Sequence, residues 1–263
     1  MNLNLSGKKA LITGGAVGIG RAIALRLASE GADICLTSRN DTHLKNIAKE
    51  LEPYRVTKAL KKTDVSRPEE LSALLASLED DFGCLDIVVN NAGDTFNITD
   101  PYCSIDSWRT IFRLNVEVPI EINNFCIKHM QAVGYGRIVN VASGAGLENN
   151  GPVPYCASKA ALVAYTRSMG RILATESPEV VMTAVCPGVV LSENGWWGGR
   201  YTADSEHARK YLDQRCALKR FGSPEEIAPL TVFLCSELAS FCHGGIYLID
   251  AGQARHFMPH SYL

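Results

Sequence analysis

The stretch KKALITGGAVGIG, residues 8–20, is a short apolar run that breaks into glycines and then turns amphipathic. KKALIT (8–13) reads as a strand buried on both faces and Gly14, Gly18 and Gly20 as a tight turn. From Gly18 to Glu30 a helix follows, with Ile19, Ile23, Ala24, Leu27 and Ala28 on one stripe before Gly31 ends it. Strand, glycine turn and helix open a βαβ unit, in which glycines let the backbone approach a pyrophosphate and free N–H groups at the helix start bind anions. The spacing is G-x-x-x-G-x-G rather than the commoner G-x-G-x-x-G, and a turn that binds nothing would use the same residues.

Working outward, the pattern repeats. ADICLTS (32–38), LDIVVNNAG (85–93), GRIVNVAS (136–143), VVMTAVCPG (180–188) and GIYLID (245–250) are further short apolar runs, and VTKALKKTD (56–64) is a weaker seventh. Strands of this continuous kind belong to a parallel sheet covered on both faces by helices, so the expected class is α/β, with seven strands in one domain over residues 1–263. Ser223-Pro224-Glu225-Glu226 starts another helix, an N-cap followed by proline and acid in the first turn. The long mixed stretch 191–218 falls between the sixth strand and that helix. A segment of that length in a compact domain is expected to be a substrate lid.

Composition narrows the function. The 263 residues are 46% hydrophobic with a net charge of −2 and no Lys/Arg block, which argues against a nucleic-acid or anionic-membrane partner. Nine cysteines are scattered without C-x-x-C or zinc spacing, so they read as reduced, mostly buried thiols, and no metal site is expected. MNLNLSGKKALITGG has no apolar leader core and no run approaches a membrane span, so the expected location is cytoplasmic.

The second strand ends LTSRN. A carboxylate near this point accepts hydrogen bonds from the adenosine ribose in NAD sites, whereas an Arg attracts a 2′-phosphate. Ser38 and Arg39 therefore favour NADP(H) over NAD(H); an Arg merely solvated at a strand end would leave the preference open.

Taken in order, these residues resemble the short-chain dehydrogenase/reductase family over nearly the whole chain, with 3-oxoacyl-carrier-protein-reductase-like members the nearest in kind. TGGAVGIG (13–20) is similar to its cofactor turn, Asp64-Val65 to its adenine-contacting pair, NNAG (90–93) to its fourth-strand signature and Asn115 to its helix asparagine. Ser143 closes NVAS, Tyr155 and Lys159 stand in YCASK, Pro187-Gly188 follow the sixth strand, and RFGSPEEIA, FLCSELASF and GGIYLIDAG complete the order. The resemblance implies a Rossmann-like doubly wound fold. It also implies a cofactor site of Gly14, Gly18, Ile19, Gly20, Ser38, Arg39, Asp64, Val65, Asn91, Ala92, Gly93, Tyr155, Lys159, Pro187, Gly188, Val190 and Ser192. A homotetramer or dimer is implied as well, packed through the helices carrying Asn115 and Tyr155.

The chemistry accounts for the residue types. Reducing a ketone puts a hydride on carbon and a proton on an oxygen that builds negative charge, where preorganised donors are most effective. Ser143 and Tyr155 are the expected hydroxyl donors. A cation one helical turn away favours the phenolate, which is the role expected of Lys159. By resemblance Lys159 also holds the nicotinamide ribose and Asn115 positions a water feeding the proton relay. Tyr155 is then general acid for reduction and base for oxidation.

Several residues depart from the family pattern. Ser143 and Tyr155 are twelve apart, one fewer than is usual, which tightens the ENNGPVP loop. Thr183 stands where Asn is usual, Ser192 replaces Thr, and DAG (250–252) replaces D-G-G. The glycine turn lacks the extra basic residue of many NADP-preferring members. In the lid, Trp196, Trp197 and Tyr201 could stack on a sugar face, an aromatic ring or an alicyclic ketone, or anchor the loop, and Arg200 could meet a carboxylate or phosphate. Glu148, Asn149 and Asn150 are candidates for the opposite wall. His256 and His260 lie in a tail, residues 253–263, expected to be a mobile end or a subunit contact. The leading reading is an NADP(H)-dependent ketone/alcohol oxidoreductase. The alternatives are a nucleotide-binding sensor or assembly subunit without turnover, an NAD(H)-dependent sugar or polyol dehydrogenase, and an enzyme whose hydride transfer serves a net isomerisation or elimination.

Overall fold

The computed structural model describes residues 2–148, 150–192, 195, 197–198 and 205–254. The seven apolar runs form β1 (Lys9–Ile12), β2 (Asp33–Ser38), β3 (Lys58–Lys62), β4 (Ile87–Asn90), β5 (Gly136–Val141), β6 (Val180–Pro187) and β7 (Ile246–Ile249). They make one sheet in the order β3-β2-β1-β4-β5-β6-β7, parallel at every pairing. The weak apolar signal of residues 56–64 has a physical cause, since β3 is an edge strand paired with β2 alone and only half-buried.

Between strands run α1 (Gly18–Ser29), α2 (Asp41–Leu51), α3 (Pro68–Asp81), α4 (Ile105–Phe112), α5 (Val118–Val133) and α6 (Val153–Glu176); α7 (Glu206–Arg215) and α8 (Pro224–Leu234) follow β6. Alternate strand side chains divide between two cores. Ala10, Ile12, Ile34, Leu36, Ile87 and Val89 pack with α1, α2 and α8 on one face, while Leu11, Cys35 and Val88 pack with α3 and α5 on the other. Gly31, at φ +86°, ends α1 as its position in sequence predicts. At the start of α8 the Glu226 carboxylate accepts from the Ser223 N–H at 2.9 Å and is gripped by Arg220, so its pKa is held down at about 2.

All nine cysteines are free, five of them buried and only Cys84 exposed. Burial pushes the thiols of Cys35, Cys126 and Cys235 up to about 12, which makes them apolar filling rather than nucleophiles. Among the described residues no helix is long and apolar enough to cross a membrane.

Strand order reverses between β1 and β4, the point at which a parallel sheet leaves a crevice at its carboxyl ends. The expected cofactor turn and NNAG meet there.

Candidate active site

A cavity of about 1260 Å³ crosses the carboxyl ends of the strands. Among its lining are Ser38 and Arg39 after β2, the glycine turn, the loop after β4, Ser143, Tyr155 and Lys159, and Trp197, His207 and Tyr211. Every site residue expected from sequence lines it except Gly20 and Asn115.

The glycine turn is built to hold an elongated anion. Gly14 and Gly18 have φ of +62° and +54°, a region L side chains seldom occupy. Asn91 ties the turn to β4, its Nδ2 donating to the carbonyls of Thr13 at 3.0 Å and Gly14 at 3.1 Å. A Cβ on Gly20 would stand 2.5 Å from that same Nδ2, so Gly20 is required behind the cradle rather than on its surface. Val17, the residue before α1, has no side-chain acceptor, so the N–H groups at the helix start carry no side-chain cap. That combination suits a pyrophosphate. Across the cavity, Ser192 Oγ lies 3.3 Å from where a Gly18 Cβ would be, so the hydroxyl retained at that departure closes over the turn.

Near the adenosine end, Asp64 Oδ1 accepts from the N–H and hydroxyl of Ser66. Arg39 is 59% exposed and 4.0 Å from Asp94 Oδ2, a surface ion pair weak enough to be exchanged for a phosphate. Asn40, Asp41, Thr42 and His43 also line this end, a wall that only the packing of α2 beside β2 brings into place.

At the other end Ser143, with extended backbone, follows β5, while Tyr155 and Lys159 rise from the first turns of α6. The Ser143 hydroxyl, which accepts from the Ala145 N–H at 3.1 Å, lines the same cavity as the Tyr155 phenol. Burial pushes the phenol up to about 12, with Ser143 the largest opposing influence. Lys159 is 3% exposed, and burial brings its pKa down to about 8. Its Nζ lies 5.7 Å from the Tyr155 ring centroid and donates to the Val141 carbonyl at 2.9 Å. The sequence expectation that Lys159 draws the phenol down is therefore not met in the protein alone. Desolvation outweighs a cation placed against the ring and bonded to backbone.

Asn115 stands behind the cavity wall. It is fully buried, with Oδ1 accepting from the Asp94 N–H at 3.2 Å and Nδ2 donating to the Asp94 carbonyl at 2.9 Å. Its side chain fixes the loop after β4 instead of facing the cavity. The helix widens to a π turn over Arg113–Glu117. Pro119, four residues on, has no N–H to offer the Asn115 carbonyl, which explains the widening. That proline was the signal in the sequence.

In the stretch 191–218, the Trp197 ring centroid lies 4.5 Å from that of Tyr211 and 5.3 Å from that of Phe221, and the residue also lines the cavity. Trp196, Arg200, Tyr201, Asn149, His256 and His260 lie outside the described residues. Sequence reasoning missed Gln253, which is 7% exposed. Its Oε1 accepts from the Val189 N–H at 2.9 Å and its Nε2 donates to the Tyr211 hydroxyl at 2.8 Å. Nothing in DAGQ marks this role. The D-G-G departure has a visible consequence, for Ala251 is held at φ +53°.

Comparison with known proteins agrees with this geometry. The family described as short chain dehydrogenase matches residues 8–196. The chain is 32% identical to the 3-oxoacyl-[acyl-carrier-protein] reductase FabG of Aquifex aeolicus over 96% of this chain and 100% of that protein. Its fold superposes on the crystal structure of L-sorbose reductase from Gluconobacter frateurii, complexed with NADPH and L-sorbose. That match has a TM-score of 0.86 and 32% identity and covers 97% of this chain and 99% of that one. A Pseudomonas aeruginosa RhlG/NADP active-site complex matches with a TM-score of 0.85 and 26% identity over 96% and 98%.

Proposed function

The chain belongs to the short-chain dehydrogenase/reductase family, and from that premise we propose that it interconverts a ketone and a secondary alcohol with NADP(H), Tyr155 being the acid for reduction and the base for oxidation. The observation that carries this reading is the convergence of Ser143, Tyr155 and Lys159 on one cavity whose far end is the glycine cradle and Arg39. NADPH in the sorbose reductase and NADP in RhlG support the cofactor.

The glycine turn and the start of α1 would hold the pyrophosphate, Arg39 the 2′-phosphate, and Asp64 with Val65 the adenine. Gly93, Lys159, Pro187, Gly188, Val190 and Ser192 would enclose the nicotinamide riboside. The cofactor, when bound, supplies the hydride that reaches the carbonyl carbon. Ser143 donates to the carbonyl oxygen, stabilising negative charge as it develops there. Tyr155, held protonated by burial, gives that oxygen its proton. Lys159, buried yet cationic at neutral pH, stands behind the phenol and favours the anion it leaves. Asn115 keeps the floor of the site in place through Asp94.

Residues 191–218 act as the substrate lid. A cytoplasmic location accords with nine unpaired cysteines. A homotetramer through α5 and α6 accords with Val133, Val153 and Ile172, large apolar residues exposed on those helices.

Replacing Tyr155 with Phe tests the acid. The expected result is NADPH binding retained, read by nicotinamide fluorescence, with turnover down by about two to four orders of magnitude. Unchanged turnover would sink the assignment, and binding by the parent protein without turnover on any ketone would favour a non-enzymatic sensor.

A further inference from the structure

We propose that the substrate is a small polyhydroxylated ketone, its hydroxyls bonded by Tyr211 and Asn150 and its carbon face laid against Trp197; this rests on the ketoreductase reading above. Tyr211 is the most telling group. The Val189 N–H can bond only to an oxygen, so the orientation of the Gln253 amide is settled: Oε1 faces Val189 and Nε2 donates to the Tyr211 oxygen. The phenol thus accepts from Gln253 and keeps its own proton. Among the described residues the Tyr211 hydroxyl makes no other hydrogen bond, and the residue lines the cavity. It is a donor fixed in position and awaiting an acceptor.

Asn150 stands on the wall beside Ser143. Its Nδ2 lies 3.8 Å from where a Gly144 Cβ would be, and its amide has no hydrogen bond among the described residues. It can both donate and accept, which is what a hydroxyl needs from its partner. Trp197 is steadied by Tyr211 and Phe221, offering a rigid apolar surface against C–H groups.

An aliphatic chain would cover the Tyr211 proton and the Asn150 amide without satisfying either, and a site built to bond hydroxyls discriminates strongly against analogues lacking them. Gln253 links this wall to the loop after Pro187-Gly188, so substrate contact at Tyr211 and the cofactor loop at Val189 share one buried amide.

The test is steady-state reduction with NADPH of L-sorbose, D-fructose, cyclohexanone and the N-acetylcysteamine thioester of acetoacetate, repeated with Tyr211→Phe and Asn150→Ala. NADPH fluorescence titration establishes that each variant is folded. The expected result is a kcat/KM for at least one ketose at least tenfold above those of cyclohexanone and the thioester. Each variant should lower the ketose-to-cyclohexanone ratio about ten- to a hundredfold, mainly through KM. Equal or better use of cyclohexanone or the thioester, or a ratio unmoved in both variants, overturns the substrate class and leaves the oxidoreductase reading standing. NADPH bound but oxidised by none of the four overturns both.

Discussion

Lys159→Met should make the cofactor-free protein more stable while abolishing its use as an enzyme. The ammonium is 3% exposed, and burial moves its pKa from 10.5 to about 8. Holding that charge in the fold at pH 7 therefore costs on the order of 3 kcal/mol. Methionine has similar length and no charge, but it forfeits the bond to the Val141 carbonyl, worth about 1 kcal/mol. The variant should gain about 2 kcal/mol at pH 7. Because the folded pKa is lowered, the unfolded chain holds the extra proton between pH 8 and 10.5, and wild-type stability rises with pH across that window. The advantage of the variant should be complete below pH 8, shrink through the window, and reverse to a deficit of about 1 kcal/mol above it. Paired urea titrations at pH 7, 8.5 and 10.5, followed by tryptophan fluorescence at one protein concentration, give the comparison. A variant less stable than wild type at pH 7, or a gap that ignores pH, would refute the claim that burial strains this lysine. NADPH-dependent turnover should fall by several orders of magnitude in the same protein, placing Lys159 among residues kept for chemistry at the expense of stability.

Three further outcomes follow from particular geometry. Arg39→Ala should weaken NADPH binding about ten- to a hundredfold and leave NADH nearly unchanged, since only NADPH brings a 2′-phosphate; equal losses for both in fluorescence titrations would remove Arg39 from cofactor choice. Gly93→Ala puts a Cβ 2.8 Å from Asn115 Oδ1 and 2.9 Å from Lys159 Nζ, and the lysine end can yield. The Asn115 amide, held by two bonds to Asp94, yields less easily, so the fold should lose about 1–3 kcal/mol while kcat falls tenfold or more, measured by urea midpoint and steady-state rate. Ala251→Gly should raise stability by about 1 kcal/mol, because Ala251 sits at φ +53° where only glycine is unstrained, and an unchanged midpoint would contradict that strain.

Strand positions, the parallel class and the order of the site residues were legible in the sequence because they are local. An apolar run of four to eight residues, a glycine turn and a capped helix each declare themselves within one element. Gly14, Gly18, Ser143, Tyr155 and Lys159 belong to such signals, and the tertiary structure gathers all five at one cavity. Three things required the folded chain. The inward fixing of Asn115 depends on Pro119 widening the helix and on the loop after β4 meeting it, elements 21 residues apart. The link from Val189 through Gln253 to Tyr211 spans separations of 64 and 42 residues, and no local pattern encodes such a pairing. The acidities of Tyr155 and Lys159 are set by burial, a property of everything packed around them. Sequence alone determined which chemical groups this protein has and in what order they stand along the sheet. Packing decided which of them face the cavity, which stand behind it, and how readily each gives up a proton, because desolvation and hydrogen-bond partners exist only once distant segments have come together.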